Sequence, residues 1–309
     1  MRWPNHRALA MNYSVAGDWG TSNLRLYRIE NGAVVDRAAG PGIGDLGGET
    51  PEQVLRHAIE GWRAEADPRA IHLCGMVGSR NGWIEIPYVD CPADAAIWAA
   101  GSAHALIDRI PVTIGAGLAC TRASGAPDVM RGEETQIFGA MARVPGLAAG
   151  RHLIALPGTH SKWASVDDGR VTGFQTFVTG ELFALLRMHS TLTRAASDEG
   201  AAEDEASGFD AGLARIADGG HLLGALFEAR AAQLRTAASG SWARGFLSGL
   251  VIGAEIAEIL PAATGDITLI GDPALADRYV RALAARGLSA TVHTGEACSL
   301  AGLALLETP

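Results

Sequence analysis

The chain has 309 residues, enough for two domains of ordinary size, each with its own core. With 48% hydrophobic and 19% charged residues it is globular and not disordered, and a formal charge of −9 without any basic block interleaved with aromatics excludes nucleic acid as a partner. The four cysteines (Cys74, Cys91, Cys120 and Cys298) have no C-x-x-C spacing and read as buried thiols in a reducing cytosol.

Residues 1–11 hold Arg2, His6 and Arg7 but no apolar stretch that would serve as a signal peptide, so they read as a loose tail. Next comes Gly17-Asp18-Trp19-Gly20-Thr21-Ser22-Asn23-Leu24-Arg25, between an apolar lead-in and the alternating Leu24, Leu26, Tyr27 and Ile29. Asn31-Gly32, suited to a type I′ turn, and a second apolar run complete a β-hairpin. Asp18 is thereby placed at a strand end beside a glycine-bearing turn. Such a turn aims backbone N–H groups at an anion, and a strand-end carboxylate can hold the Mg²⁺ that accompanies a nucleotide phosphate.

Thr50 to Ala66 reads as a helix with Thr50 as N-cap, Pro51 at its first position and Gln53 closing a capping box. A buried strand, Ile71 to Cys74, opens into Gly75-Met76-Val77-Gly78-Ser79-Arg80-Asn81-Gly82-Trp83, a loop type that holds ligands at strand ends, with Arg80 suited to clamping a carboxylate. Ala93 to Ile107 is expected to be helical and Val112 to Ile114 a strand. In Arg131-Gly132-Glu133-Glu134-Thr135-Gln136 an acidic pair opens a helix, where carboxylates oppose the helix dipole favourably.

The opening device then recurs. After a strand at Leu153 to Leu156, Pro157-Gly158-Thr159-His160-Ser161-Lys162-Trp163 leads into a hairpin closed by Asp167-Asp168-Gly169. Lys162 is the single lysine beside 24 arginines, as expected of a site too tight for a guanidinium. Gly180 to His189 reads as a helix, Ala195 to Gly208 as an acidic solvated loop, and Phe209 to Thr236 as helices broken at Gly219-Gly220. Phe246 to Leu260, interrupted by Glu255 and Glu258, lies in a buried helix with one wet edge that cannot span a bilayer. The strand Ile267 to Ile270 ends in Gly271-Asp272-Pro273 before a helix, an arrangement that presents a helix N-terminus to a phosphate or ribose. A strand at 290–293 and a helix from about Glu296 close the chain. Two related α/β domains facing one another across a cleft follow from this duplication, with a loose tail at 1–11 and domains at 12–131 and 132–309.

Together, Asp18 to Arg25, Cys74 to Arg80, Arg131 to Gln136 and Pro157 to Trp163 resemble the 2-dehydro-3-deoxygalactonokinases. That family lies in the sugar-kinase, heat-shock chaperone and actin superfamily of two-domain ATPases. The resemblance implies two actin-like (ribonuclease H-like) domains and ATP- and Mg²⁺-dependent phosphorylation of 2-dehydro-3-deoxy-galactonate at its terminal hydroxyl, in the cytoplasm. It implies Asp18 as the Mg²⁺ ligand, Gly20, Thr21, Ser22, Gly158, Thr159 and Lys162 against the phosphates, and Gly271 with Asp272 at the adenosine. It further implies Arg25 or Arg80, with Ser79 and Asn81, at the sugar acid, and Glu133 as general base, where distant carbohydrate kinases carry aspartate. A small-molecule partner is expected, with no nucleic acid and no membrane; a homodimer is compatible. Another sugar or keto-deoxy acid kinase on this fold, or a nucleotide-switched binding protein of the actin or chaperone type, is the alternative. A dinucleotide-dependent dehydrogenase is disfavoured, since no Gly-x-Gly-x-x-Gly turn follows the first strand.

Overall fold

The structure is a computed structural model that describes residues 12–193, 202–260 and 266–307. The expected tail at 1–11 and positions 195–201 of the expected acidic loop lie outside the described residues. In chain order the elements begin with strands β1 (Tyr13–Trp19), β2 (Asn23–Glu30) and β3 (Ala33–Pro41), helices α1 (Pro51–Ala58) and α2 (Glu60–Arg63), and β4 (Ile71–Gly75). Then come β5 (Val89–Asp90), α3 (Ala95–Ala100), β6 (Ala103–Ile107), β7 (Ile110–Ile114), β8 (Leu118–Thr121), β9 (Pro127–Met130) and α4 (Glu133–Arg143). They continue with β10 (Arg151–Leu156), β11 (Ser161–Asp167), β12 (Arg170–Phe177), α5 (Thr179–His189), α6 (Ala202–Ala217), α7 (Leu222–Arg235) and α8 (Gly240–Ile259). The last four are β13 (Asp266–Gly271), α9 (Pro273–Ala284), β14 (Ala290–Thr294) and α10 (Gly295–Ala304).

These elements form two compact units. The first takes the described residues up to 150 together with 166–173 and 295 onward; the second takes 151–165 and 174–294. The division differs from the expected 12–131 and 132–309, and packing explains why. A Cβ on Gly139 of α4 would lie 1.9 Å from the Cys298 carbonyl oxygen, and one on Gly302 of α10 would lie 2.0 Å from that of Thr135. The two helices therefore touch backbone to backbone and belong to one body.

The first sheet has the order β3-β2-β1-β4-β7-β6 and the second β12-β11-β10-β13-β14. Each begins with three sequential strands and then adds strands beside the first of them. β1 pairs antiparallel with β2 and parallel with β4, and β10 pairs parallel with β13. Both opening hairpins close as the sequence predicts, through left-handed pairs at Asn31 and Gly32 (φ 50° and 78°) and at Asp168 and Gly169 (φ 45° and 76°).

Several expectations are corrected. The helix expected over 93–107 ends at Ala100, and 103–107 forms β6, paired antiparallel with β7. The turn between them, Asp108-Arg109, is left-handed at both residues (φ 51° and 71°), and Arg56 and Arg63 grip the Asp108 carboxylate at 2.9 and 2.6 Å. That anchor is tertiary, so no local pattern marks it. The capping box on Thr50 forms, but its helix breaks at Ile59 into α1 and α2. Of the expected acidic loop, 202–208 is helical and opens α6. Among the thiols, Cys74 and Cys298 are buried while Cys91 and Cys120 are half-buried.

The core of the second unit depends on the seam between α6 and α8. Gly208 and Gly212 on one helix face Gly245 and Gly249 on the other, and a Cβ at any of the four would come within 2.0 to 2.3 Å of a carbonyl oxygen of the partner helix. This approach lets Phe209, Leu213, Val251 and Ile252 close a single apolar cluster with Trp163 and Leu269 of the sheet. Among the described residues no helix is long and apolar enough to cross a membrane.

Gly249→Leu should lower stability by about 1–3 kcal/mol or more through overpacking. Gly253→Ala, whose Cβ would meet side chains only at 3.4 to 3.5 Å, should be neutral or raise it by up to about 1 kcal/mol. Denaturant titration of both variants checks the seam, and equal stabilities would refute it.

Candidate active site

β1 delivers Asp18 to the end of the first sheet, in register with Arg25 of β2 and Cys74 of β4. Arg25 Nη1 stands 3.7 Å from Asp18 Oδ2, and burial raises the Asp18 carboxyl above its ordinary range against that attraction. The following turn is fixed by its backbone: the Gly20 N–H donates to the Asn23 carbonyl at 2.9 Å. The Gly20 and Thr21 carbonyls accept from Ile43 and Gly44 at 3.0 and 2.9 Å. With its carbonyls thus engaged, the turn leaves Thr21 and Ser22 exposed.

Gly75 ends β4 at φ 91°, and Gly132 precedes α4 at φ 110°. A Cβ on Gly132 would lie 3.4 Å from the Gly75 Cα, and one on Gly75 would lie 3.4 Å from Asp18 Oδ1 and 2.7 Å from the Trp19 carbonyl oxygen. The start of α4 is thereby brought against the end of β1, and the acidic pair comes beside Asp18. The two glutamates then diverge. Glu133 is half-buried, and its Oε2 accepts from the Arg131 N–H at 3.2 Å. Glu134 is fully buried; both its oxygens accept from the Gly132 N–H, at 2.8 and 2.7 Å, and Thr135 Oγ1 donates to it at 3.2 Å. The sequence expects Glu134 to serve as a first-turn dipole partner, and the structure adds that it is sealed in the interior. Burial, then the charge of Glu133, pushes its pKa up to about 8.

Arg80 and Asn81 are exposed in the loop after β4, and the Ser79 hydroxyl is buried without a hydrogen-bond partner. Sequence reasoning missed the cation at the base of that loop. Arg131 Nη2 donates to the Ile86 carbonyl at 2.7 Å, its guanidinium lies 4.4 Å from the Tyr88 ring centroid, and its Nε and Nη1 are buried without partners. Its place next to the recognised Gly132-Glu133 was the available signal.

In the second unit Gly158, Thr159, Gly271 and Asp272 come together. A Cβ on Gly271 would sit 3.5 Å from the Pro157 carbonyl oxygen, and Gly180 at the start of α5 packs onto Gly158, where a Cβ would be 2.3 Å from its carbonyl oxygen. Beside them lies a pocket of about 310 Å³, walled by Gly158, Thr179, Ile252, Asp272, Leu275 and Tyr279. That volume is at the lower end of the ~300–1,000 Å³ of small-molecule sites. The Asp272 carboxylate caps α9, accepting from Ala274 and Leu275 at 3.0 and 3.2 Å. Lys162, one strand residue further on, is 6% exposed and donates to Thr176 Oγ1 at 3.0 Å. Glu255, expected on a wet helix edge, is instead buried beneath the pocket. Trp163 Nε1 donates to it at 2.6 Å and the Tyr279 hydroxyl at 2.9 Å, while burial raises its pKa.

Among the described residues no group of three or more His, Cys, Asp or Glu could hold a metal ion. Mg²⁺ with a nucleotide asks for less: one or two carboxylates, the remaining ligands being phosphate oxygens and water. Asp18 fits that demand, since its buried carboxylate has one distant cation beside it and would be favoured by another.

A family model described as 2-keto-3-deoxy-galactonokinase matches residues 18–306. A protein of Rhizobium meliloti strain 1021 named a probable 2-dehydro-3-deoxygalactonokinase is 39% identical, over 94% of this chain and 95% of its own. The 2-dehydro-3-deoxygalactonokinase of Escherichia coli K12 is 34% identical, again over 94% of this chain and 95% of its own. A crystal structure of a protein from Sinorhizobium meliloti, assigned as a 2-dehydro-3-deoxygalactonokinase, matches with a TM-score of 0.86 at 36% identity, covering 95% of this chain and 98% of that one.

The raised Glu134 value has a pH consequence. The folded protein holds this proton more tightly than the unfolded chain, so the stabilisation is complete below the ordinary value of 4.5 and falls as pH rises towards about 8. Glu134→Gln should abolish that decline. Melting temperatures of both proteins across this range test it, and parallel curves would mean that Glu134 is ionised throughout.

Proposed function

Because this chain belongs to the 2-keto-3-deoxy-galactonokinase family, we propose that it transfers the γ-phosphoryl group of ATP to the terminal hydroxyl of 2-dehydro-3-deoxy-D-galactonate, giving the 6-phosphate, in galactonate catabolism. The observation that carries the reading to the residues is the meeting of Asp18 with the start of α4 across Gly75 and Gly132. The matching strand orders of the two sheets support two actin-like domains.

In this reading Glu133 is the general base. It is half-buried and accepts the Arg131 N–H at 3.2 Å, whereas Glu134 is enclosed and holds its proton up to about pH 8. A base that accepts the proton of the attacking hydroxyl contributes ~10²–10⁴-fold, the remainder coming from positioning and charge neutralisation. Asp18 would hold Mg²⁺, which when bound supplies charge neutralisation at the transferred group. The exposed Thr21 and Ser22 of the Gly20 turn face that group. In the second unit the apolar pocket receives the adenosine against Gly271 and Asp272. Gly158 and Thr159 lie at its edge for the phosphates, and Lys162, buried against Thr176, is the cation of the same turn.

ADP release measured across a panel of keto-deoxy sugar acids tests the activity, with 2-dehydro-3-deoxy-D-galactonate expected to be turned over best; turnover unaffected by any acid would favour a nucleotide-switched binding protein instead. Glu133→Gln should lower kcat by about 10²-fold or more at little changed ATP affinity. Asp18→Asn should lose activity together with its magnesium dependence, and wild-type kcat in either variant would remove that residue from the mechanism.

A further inference from the structure

We propose that Arg131 is the residue that recognises the carboxylate of the substrate, a role that rests on the kinase reading above. Sequence logic points to Arg25 or Arg80, but the structure gives those two cations other circumstances. Arg25 is paired across the strands with Asp18 and is 62% exposed; Arg80 is exposed on a loop. Arg131 differs in kind. Its guanidinium has five N–H donors; one bond goes to the Ile86 carbonyl, and the Nε and Nη1 groups have no acceptor although both are buried. Leaving donors of a charged group buried and unpaired is strongly unfavourable, so such a group persists where an acceptor arrives with a ligand.

The surroundings specify that acceptor. Arg131 Nη1 lies 3.0 Å from where a Cβ on Gly78 would be, so the glycine leaves room for the cation, and the next residue is Ser79, whose hydroxyl is also buried and unpartnered. Unused donors of a guanidinium suit a carboxylate, which can accept two of them at once. The guanidinium also stacks on Tyr88, a residue 41% exposed, so this side of it borders the surface. The same residue's main-chain N–H holds the Glu133 carboxylate at 3.2 Å. In this proposal the Arg131 side chain takes the acid group, while its main-chain N–H holds the base. A neutral sugar would leave the guanidinium unpaired, which makes the site selective for sugar acids.

The test uses the full chain and two probes, 2-dehydro-3-deoxy-D-galactonate and its uncharged C1 amide. Arg131→Gln should raise KM for the acid by about 10–100-fold while changing the amide little, so that discrimination between the two collapses, with KM for ATP unchanged. Arg131→Lys should recover part of the discrimination, and it carries the test if the glutamine variant does not fold. An equal loss for acid and amide would show a structural role, and preserved discrimination would return the carboxylate to Arg80; either overturns the proposal. Calorimetric titration of the nucleotide-free protein with the same probes separates this result from the activity itself. Binding of the acid by wild type that is lost in Arg131→Gln supports the site even if no phosphoryl transfer occurs, and acid binding undiminished in the variant refutes it even if transfer does occur.

Discussion

The first unit depends on one close approach, the contact of two glycines in the left-handed region. Gly132 packs on Gly75, so that a Cβ on Gly132 would lie 3.4 Å from the Gly75 Cα, and a Cβ on Gly75 would strike the Trp19 carbonyl oxygen at 2.7 Å. The contact joins elements about sixty residues apart in the chain and sets the first turn of α4 against the carboxyl end of β1. An L side chain would be strained at either position, and at Gly75 crowded as well.

The acidic residues beside that contact also form an electrostatic arrangement. Asp18, Glu133 and Glu134 all lie near the buried Cys74 thiol, and the charges of all three raise its pKa, after burial itself. The neighbouring Glu133 and Glu134 cannot both ionise cheaply, and the structure resolves the conflict by environment. Glu134 is enclosed and keeps its proton up to about pH 8, whereas Glu133 remains half-buried at the start of α4. A similar device in the second unit places Glu255 under the pocket. There its carboxylate ties Trp163 and Tyr279 together, and Tyr279, which forms part of the pocket wall, is held from behind.

Glycine performs the same physical task elsewhere. α4 meets α10, and α6 meets α8, at distances that exclude any side chain between the backbones. The abundance of glycine, 39 residues, is therefore in part a packing requirement and not only a property of turns.

By itself the sequence determined the local devices: the two hairpin turns, the capping box at Thr50, the starts of α4 and α9, and the turns that carry Asp18 and Gly158. These depend on neighbours within a few residues, so a one-dimensional pattern suffices. Tertiary structure alone decided what depends on distant partners. The strand at 103–107 replaced an expected helix because Arg56 and Arg63 anchor its turn. The return of α10 to the first unit follows from backbone contact with α4. The different fates of Glu133 and Glu134, and the unpaired guanidinium of Arg131, follow from burial. A linear sequence shows which residues can carry charge; only the fold sets how much water and which partners each of them retains, and those set its chemistry.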